Sequence, residues 1–216
     1  MNINIQVPTS LSDITLGQYK RFLNIQKQTD ESHFLNAKAI EVFCNLELKK
    51  VMLIKVSDFD KITNKINSLF EQKPKLVKKF KINNTEYGFN PQLDDMTLGE
   101  YIDIDTYIGD WENMERAMNV LYRPIENKLK ERYSIKEYDI NIKDELLDMP
   151  MDAVLSSIFF LWNLGIDLSK TILNSLEHQG EQNLMQQQTS AENGVGINQS
   201  THSLKEILQD LKISLN

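Results

Sequence analysis

The sequence contains few of the residues that metal sites, disulfides and nucleophilic active sites require. Its 216 residues include a single cysteine, Cys44, and only three histidines, which stand far apart at His33, His178 and His202. One cysteine cannot form an intramolecular disulfide, which fits a reducing compartment, and it cannot complete the usual zinc ligand sets. Cys44 stands among apolar residues, so we expect a buried core thiol rather than a nucleophile. The sequence predicts no metal site.

Recognisable cofactor loops and paired catalytic carboxylates are missing too. Gly194 and Gly196 lie in a polar stretch with no strand pattern before them and no lysine after them, unlike phosphate or dinucleotide loops. Asp103 and Asp105 are two positions apart, and on a helix such residues point to different sides. We therefore expect no catalytic residue and no cofactor, and we interpret the chain as a protein that is not an enzyme.

No apolar run approaches the length of a membrane-spanning helix, which needs about 20 mostly apolar residues. In the most apolar segment, Val154–Leu168, the longest unbroken run is Ile158–Trp162. The N-terminus, Met1–Val7, lacks the basic and apolar regions of a signal peptide. These features predict a soluble intracellular protein without a membrane partner.

Positive charge is scarce and unevenly placed. The net charge is −7, which argues against nucleic acid as a partner, because phosphate binding needs an excess of lysine and arginine. Residues 82–115 contain nine Asp or Glu and no Lys or Arg, and they follow a basic cluster within residues 73–81. Both stretches are typical of solvated surface. The alternative is a bipolar molecule whose two faces meet partners or other copies of the chain, so self-association is a further expectation.

The spacing of apolar residues predicts a mainly α fold with a minor β component. We expect helices that begin at Thr15 and Thr97, and others over residues 34–46, 58–72 (with Ser57 as its cap), 110–122 and 150–177. Pro124 is expected to end or bend the fifth of these. The aromatic side chains of Tyr101, Tyr107, Trp111 and Tyr122 are expected in the core rather than on a base-stacking platform, since this region is acidic.

The β component is expected in three places. Alternation of Ile3, Ile5 and Val7 predicts a half-buried strand over Asn2–Val7. A hairpin is expected around Asn83 and Asn84, since asparagine tolerates the positive φ of tight turns. The pattern of residues 132–142 predicts extended structure at a sheet edge.

A nine-residue motif occurs twice. Leu11–Tyr19 and Leu93–Tyr101 are identical at six of nine positions, and each follows a proline at a distance of two or three residues. Thr15 and Thr97 each precede a Gln or Glu by three residues, which is the spacing of a capping box. We call these segments the first copy and the second copy. They predict two similar helix starts, and a further hypothesis is that they present equivalent docking surfaces.

The C-terminal region has a different composition. Residues 178–203 are polar and include three successive glutamines, which predicts a flexible linker. Apolar residues then return at helical spacing, which predicts a tethered amphipathic helix over 204–216. Its candidate partner-binding residues are Leu204, Ile207, Leu208, Leu211 and Leu215. The predicted division is an N-terminal subdomain over 1–92, a helical subdomain over 93–177, the linker and the tethered helix.

Within residues 90–170 two stretches resemble proteins of tailed bacteriophages. They are the helix start Leu98–Asp105, and Met118–Ile125 followed by the Met149–Leu164 helix. The combination is similar to small tail-assembly proteins, and tail assembly chaperones are the nearest group. The resemblance implies a non-catalytic role in binding the tape-measure protein and the tail-tube subunits, in the host cytoplasm during infection.

Two alternatives stay open at the level of sequence. The chain is also compatible with a structural component of the virion, such as a connector, tail or baseplate-associated subunit. The other alternative is a host-directed regulator that binds protein or nucleic acid.

Overall fold

A computed structural model describes residues 4–130, 132–141 and 145–182; within its last helix, the side chains of residues 168, 169 and 171–182 are not described. Helices account for 55% of the structure and a four-stranded antiparallel sheet for 14%. The predicted mainly α class with a minor β component is therefore confirmed.

Seven α-helices lie in the described part of the chain. They are α1 Leu16–Gln26, α2 Ser32–Phe43, α3 Leu48–Val51, α4 Val56–Phe70, α5 Leu98–Tyr107, α6 Met114–Leu121 and α7 Met151–Gln182. One predicted cap is wrong: α4 begins one residue before Ser57. The N–H groups of Asp58 and Phe59 both donate to the carbonyl of Lys55, which makes Lys55 the residue that precedes the helix.

The sheet has the order β1-β2-β3-β4, with β1 Lys79–Ile82, β2 Thr85–Phe89, β3 Tyr122–Leu129 and β4 Arg132–Ile135. The predicted hairpin is present, and Asn83 takes a φ of 52° in its turn. β4 lies at one edge of the sheet, within the segment predicted to be extended. Pro124 does not act on the preceding helix, which ends at Leu121; it lies in β3 opposite Tyr87.

The strand predicted over Asn2–Val7 is wrong for residues 4–7, which lie outside any strand. Ile5 and Val7 do pack against the core, so the alternation correctly indicated a half-buried segment. A strand also requires a neighbouring strand for its backbone groups. The sheet in the described residues consists of β1, β2, β3 and β4, and residues 4–7 do not pair with any of them.

The core joins the sheet to the helices through Tyr122, the first residue of β3. Its side chain is fully buried, and its hydroxyl donates to the carbonyl of Val77 at 2.7 Å. Phe80, Phe89 and Tyr122 form a group of contacting rings, and Phe160 of α7 packs edge-on against Phe89. The apolar start of α7 therefore covers one face of the sheet.

The two predicted subdomains share this core. β1 and β2 come from residues 1–92, whereas β3 and β4 come from residues 93–177, and the four strands form one sheet. At the other boundary, α7 continues to Gln182, five residues into the predicted linker. The remainder of that linker and the predicted helix over 204–216, with all five of its candidate partner-binding residues, lie outside the described residues.

The first copy lies against the segment Leu147–Met151, which leads into α7. Thr15 pairs with Pro150 in an antiparallel bridge. The N–H of Leu16 donates to the carbonyl of Met149 at 2.8 Å, and the N–H of Met151 donates to the carbonyl of Ile14 at 2.9 Å. Leu16 is fully buried as a result. The start of α1 is thus fixed to the start of α7.

Candidate functional site

The second copy begins with the same local structure as the first. A 3-10 turn at Leu93–Asp95 precedes Thr97, as the 3-10 turn at Leu11–Asp13 precedes Thr15. Thr97 accepts the N–H of Glu100 at 3.3 Å, and Glu100 accepts the N–H of Thr97 at 2.8 Å, which is a complete capping box. The predicted pair of similar helix starts is therefore present at the level of local structure.

The inward face of α5 carries two carboxylates beside the apolar Ile104, and carboxylates are rarely buried in a globular protein unless they are paired. Glu100 and Asp103 are both buried on it. Glu100 forms an ion pair of 2.8 Å with Arg123 of β3, and both side chains are at least nine-tenths buried. The hydroxyl of Tyr138 donates a hydrogen bond to Asp103. Burial, together with this hydrogen bond to the Asp103 carboxylate, raises the pKa of Tyr138 well above its ordinary value.

The outward face of α5 is apolar. Leu98 is 74% exposed, Ile102 51% and Tyr101 48%. These residues have the i, i+3, i+4 spacing that places side chains side by side on a helix, so they form one stripe. We call it the α5 stripe. α5 thus buries two carboxylates beside the apolar Ile104 while it exposes three large apolar side chains, a combination that hydrophobic burial alone does not favour.

An open groove of about 1410 Å³ borders the inner side of the second copy. Its walls include Phe89, Glu100, Arg123, Tyr133 and Phe160. Small-molecule pockets usually enclose roughly 300–1,000 Å³, so this groove is wide for such a ligand and suits a chain segment. Within the described structure the Nε of Arg123 is buried without a hydrogen-bond partner.

The second copy lies in the acidic part of the chain. Asp94 and Asp95 are exposed just before α5, and residues 82–115 include no lysine or arginine. The groove beside the second copy is also lined by basic side chains, namely those of Lys78, Arg123, Arg132 and Lys136. The exposed surface contributed by the second copy is therefore apolar at its centre and negative at its margin.

The sequence did not identify the α5 stripe. The helical spacing of its three residues can be recognised in the sequence, but the sequence does not show which side of the helix is exposed. Tyr101 was expected in the core together with Tyr107, Trp111 and Tyr122. Tyr122 is fully buried and Tyr107 and Trp111 are partly buried, whereas Tyr101 is exposed, so that prediction is wrong for Tyr101. The buried orientation of Asp103 depends on Tyr138, 35 residues away, and no local pattern signals such a partner.

Other potential sites give no competing arrangement. Cys44 is buried, and burial raises the pKa of its thiol to about 11, which disfavours the nucleophilic thiolate. In the described ranges, no three His, Cys, Asp or Glu side chains are grouped so that they could hold a metal ion. Of the helices described, none has the length and apolarity needed to cross a membrane.

Comparisons with protein-family models, with curated proteins and with solved structures found no match to this chain.

Proposed function

We propose that this chain is a non-catalytic protein-binding factor of tailed-phage morphogenesis, a tail assembly chaperone that binds the tape-measure protein and tail-tube subunits in the host cytoplasm. The observation that carries the protein-binding part is the α5 stripe, three large apolar side chains that are exposed on a helix whose other side buries Glu100 and Asp103. Contiguous exposed apolar side chains with a polar margin are typical of protein interaction sites.

The energetics of α5 support this interpretation. The inward carboxylates are compensated by Arg123 and Tyr138, so the helix is held in its orientation by specific polar contacts. Buried polar networks of this kind fix one arrangement and exclude the rotated one, in which Leu98 and Ile102 would face the core. A helix that holds three apolar side chains outward is suited to a protein that binds apolar segments of a partner.

The assignment to tail assembly rests on the sequence resemblance in Leu98–Asp105, Met118–Ile125 and Met149–Leu164. Leu98–Asp105 is also the segment that bears the α5 stripe. The resemblance and the exposed surface therefore coincide in α5, and the tape-measure protein is the partner that the resemblance favours. Self-association and incorporation into the virion are the competing outcomes.

The test is co-expression of the chain with the tape-measure protein of the same phage, with the soluble fraction of the tape-measure protein measured after centrifugation. A Leu98→Ser, Ile102→Ser variant should lose most of the solubilising effect. Met52→Ser, Leu53→Ser is a matched control, because Met52 and Leu53 are 65% and 64% exposed far from α5 in the sequence. Equal solubility with all three proteins would contradict the proposal.

Mass spectrometry of purified virions separates the chaperone from the structural alternative. A chaperone is present in infected cells and absent from finished particles. Stoichiometric detection in the particle would instead assign the chain to a connector, tail or baseplate-associated subunit.

A further inference from the structure

The groove beside the second copy has apolar walls that come from the sheet and from α7. Phe89 of β2 and Ile135 of β4 line it, together with Phe160 and Leu164 of α7. Ile135 and Phe160 are partly exposed, and Leu164 is 49% exposed. Because burial of apolar surface is favourable, an apolar segment that lies along these side chains would be stabilised there.

The exposed charges of the groove balance each other. Arg123 and Glu100 form an ion pair, so their charges compensate each other. The other charged residues of the walls are exposed and comprise three cations and three carboxylates, namely Lys78, Arg132 and Lys136, and Asp94, Asp95 and Glu137. A strongly cationic or strongly acidic segment therefore gains little from this groove, which suits an apolar segment of mixed charge.

The chain contains a segment of this composition outside the described residues. Within residues 204–216 apolar side chains recur at helical spacing, and Lys205 and Lys212 are balanced by Glu206 and Asp210. Isolated helices shorter than about 12–15 residues are marginal in water, so such a segment gains stability from a surface that covers its apolar side. The other residues outside the described ranges lie in stretches of one to three residues or in the mostly polar stretch 183–203. Residues 204–216 are therefore the occupant that the chain itself can supply.

The connecting chain has a length that reaches the groove. α7 ends at Gln182, and the rise from Leu164 to Gln182 is about 27 Å at about 1.5 Å per residue. Residues 183–203 connect the end of α7 to the segment, and a flexible chain of about 21 residues has a root-mean-square end-to-end distance of about 25 Å. Because the two lengths match, the segment has an effective concentration near the groove in the millimolar range.

We propose that residues 204–216 bind the groove of their own molecule and cover it until a partner segment displaces them. The five residues that would contact the groove are Leu204, Ile207, Leu208, Leu211 and Leu215. A foreign segment at micromolar concentration competes with an attached one at millimolar effective concentration, which favours the attached one by about a thousandfold at equal intrinsic affinity. The inference goes beyond the proposed function, because it concerns the groove rather than the α5 stripe and holds for any partner.

The probe is a fluorescent peptide with the sequence of residues 203–216, titrated with full-length proteins and followed by fluorescence anisotropy. A Leu208→Ser, Leu211→Ser variant, which we call the open variant, should bind the peptide saturably because its own segment no longer covers the groove. The parent should bind the peptide about tenfold or more weakly, which is the factor for an effective concentration of about 1 mM and an intrinsic Kd of about 100 μM.

Substitutions in the groove locate the binding surface. Leu164→Ser in the open variant should weaken peptide binding by about fivefold or more, because half of that side chain is available for burial. Ser134→Trp should also weaken it, since Ser134 is an exposed residue of the groove wall and the larger side chain would fill the groove. Leu53→Ser is the matched control, because Leu53 is 64% exposed and does not line the groove, and it should leave binding unchanged.

The proposal would be overturned by absence of saturable binding to the open variant, or by equal binding to the open variant and the parent. Peptide binding that neither Leu164→Ser nor Ser134→Trp changes would place the segment elsewhere and overturn it as well. A parent that sediments as a dimer, and that the Leu208→Ser, Leu211→Ser change converts to a monomer, would mean that the segment binds a second molecule instead.

The peptide assay and the co-expression assay test different surfaces and fail independently. The chaperone proposal depends on Leu98, which does not line the groove, whereas the intramolecular contact depends on Leu164. Weaker peptide binding by the parent than by the open variant, without any effect on the tape-measure protein, supports the contact and contradicts the chaperone assignment. Solubilisation that depends on Leu98, with equal peptide binding by the parent and the open variant, supports the chaperone and overturns the contact.

Discussion

Glu100 uses its two carboxylate oxygens for different purposes: one accepts the backbone N–H of Thr97, and the other pairs with Arg123, each at 2.8 Å. The equivalent residue of the first copy, Gln18, accepts the N–H of Thr15 at 2.9 Å and donates its amide N–H to the carbonyl of Val42, also at 2.9 Å. The partner of each side chain therefore accounts for the difference between Gln18 and Glu100. The Val42 carbonyl requires a hydrogen-bond donor, which an amide supplies, and the Arg123 guanidinium pairs with a carboxylate.

Arg123→Met should lower the free energy of unfolding by about 3–5 kcal/mol, because it leaves the buried Glu100 carboxylate without its counter-charge. Combining it with Glu100→Gln should recover part of this loss, since an amide at position 100 is neutral and still accepts the N–H of Thr97. Urea unfolding of the three proteins measures both effects. A loss below about 1 kcal/mol in Arg123→Met would contradict the assignment of a buried pair.

The two capping threonines should have similar energetic roles. Thr15 accepts the N–H of Gln18 at 3.2 Å, and Thr97 accepts the N–H of Glu100 at 3.3 Å. Thr15→Ala and Thr97→Ala should each cost about 1 kcal/mol in urea unfolding, and the matched serine variants, which keep the hydroxyl, should cost less. If the alanine variants are as stable as the serine variants, the capping interactions contribute nothing measurable.

Local features of the fold were predictable from the sequence. The two capping boxes involve residues three apart, and the hairpin turn depends on the tolerance of Asn83 for positive φ, so each is determined within a few residues. The predicted strand over residues 2–7 failed at residues 4–7, because a strand depends on a neighbour that its own alternation does not specify.

The candidate site was not predictable in the same way. The orientation of α5 is determined by Arg123 and Tyr138, which are 23 and 35 residues from the carboxylates that they contact. Read alone, Glu100 and Asp103 indicate a solvated face, and Tyr101 indicates a buried one. The sequence identified the repeat, but only the structure distinguishes the covered first copy from the exposed second copy.

Asp13 should make stability depend on pH. It accepts the backbone N–H of Thr9 at 2.8 Å and the Thr9 hydroxyl at 2.7 Å, and these bonds, the backbone N–H first, hold the pKa of its carboxyl below the ordinary value. Because the folded pKa is depressed, the contribution is present above the unfolded pKa of about 4 and is lost as pH falls through the folded pKa.

Asp13→Asn should therefore destabilise the protein at pH 7, and its difference from the parent should shrink as pH falls below about 4. Asp95→Asn is the matched control, since the Asp95 side chain makes no such bonds to the described residues of its own turn. Urea unfolding at several pH values measures both variants. A difference between Asp13→Asn and the parent that does not change with pH would mean that the charge of Asp13 is not what stabilises the turn.

Gly17 and Gly99 occupy the same position in the two copies, yet alanine should act in opposite directions. Alanine restricts the unfolded chain, which alone stabilises a compatible helical position by about 0.4–1 kcal/mol. At Gly99 the space is open, so Gly99→Ala should show this gain.

At Gly17 the new Cβ would lie 3.2 Å from the Leu147 carbonyl oxygen and 3.4 Å from the Leu147 Cβ, so the segment Leu147–Met151 must shift. Overpacking of this kind costs about 1–3 kcal/mol, and Gly17→Ala should be destabilised overall. Thermal and urea unfolding of both variants give the comparison. Equal stabilisation by both alanines would mean that Leu147–Met151 is not packed on the first copy as the structure describes it.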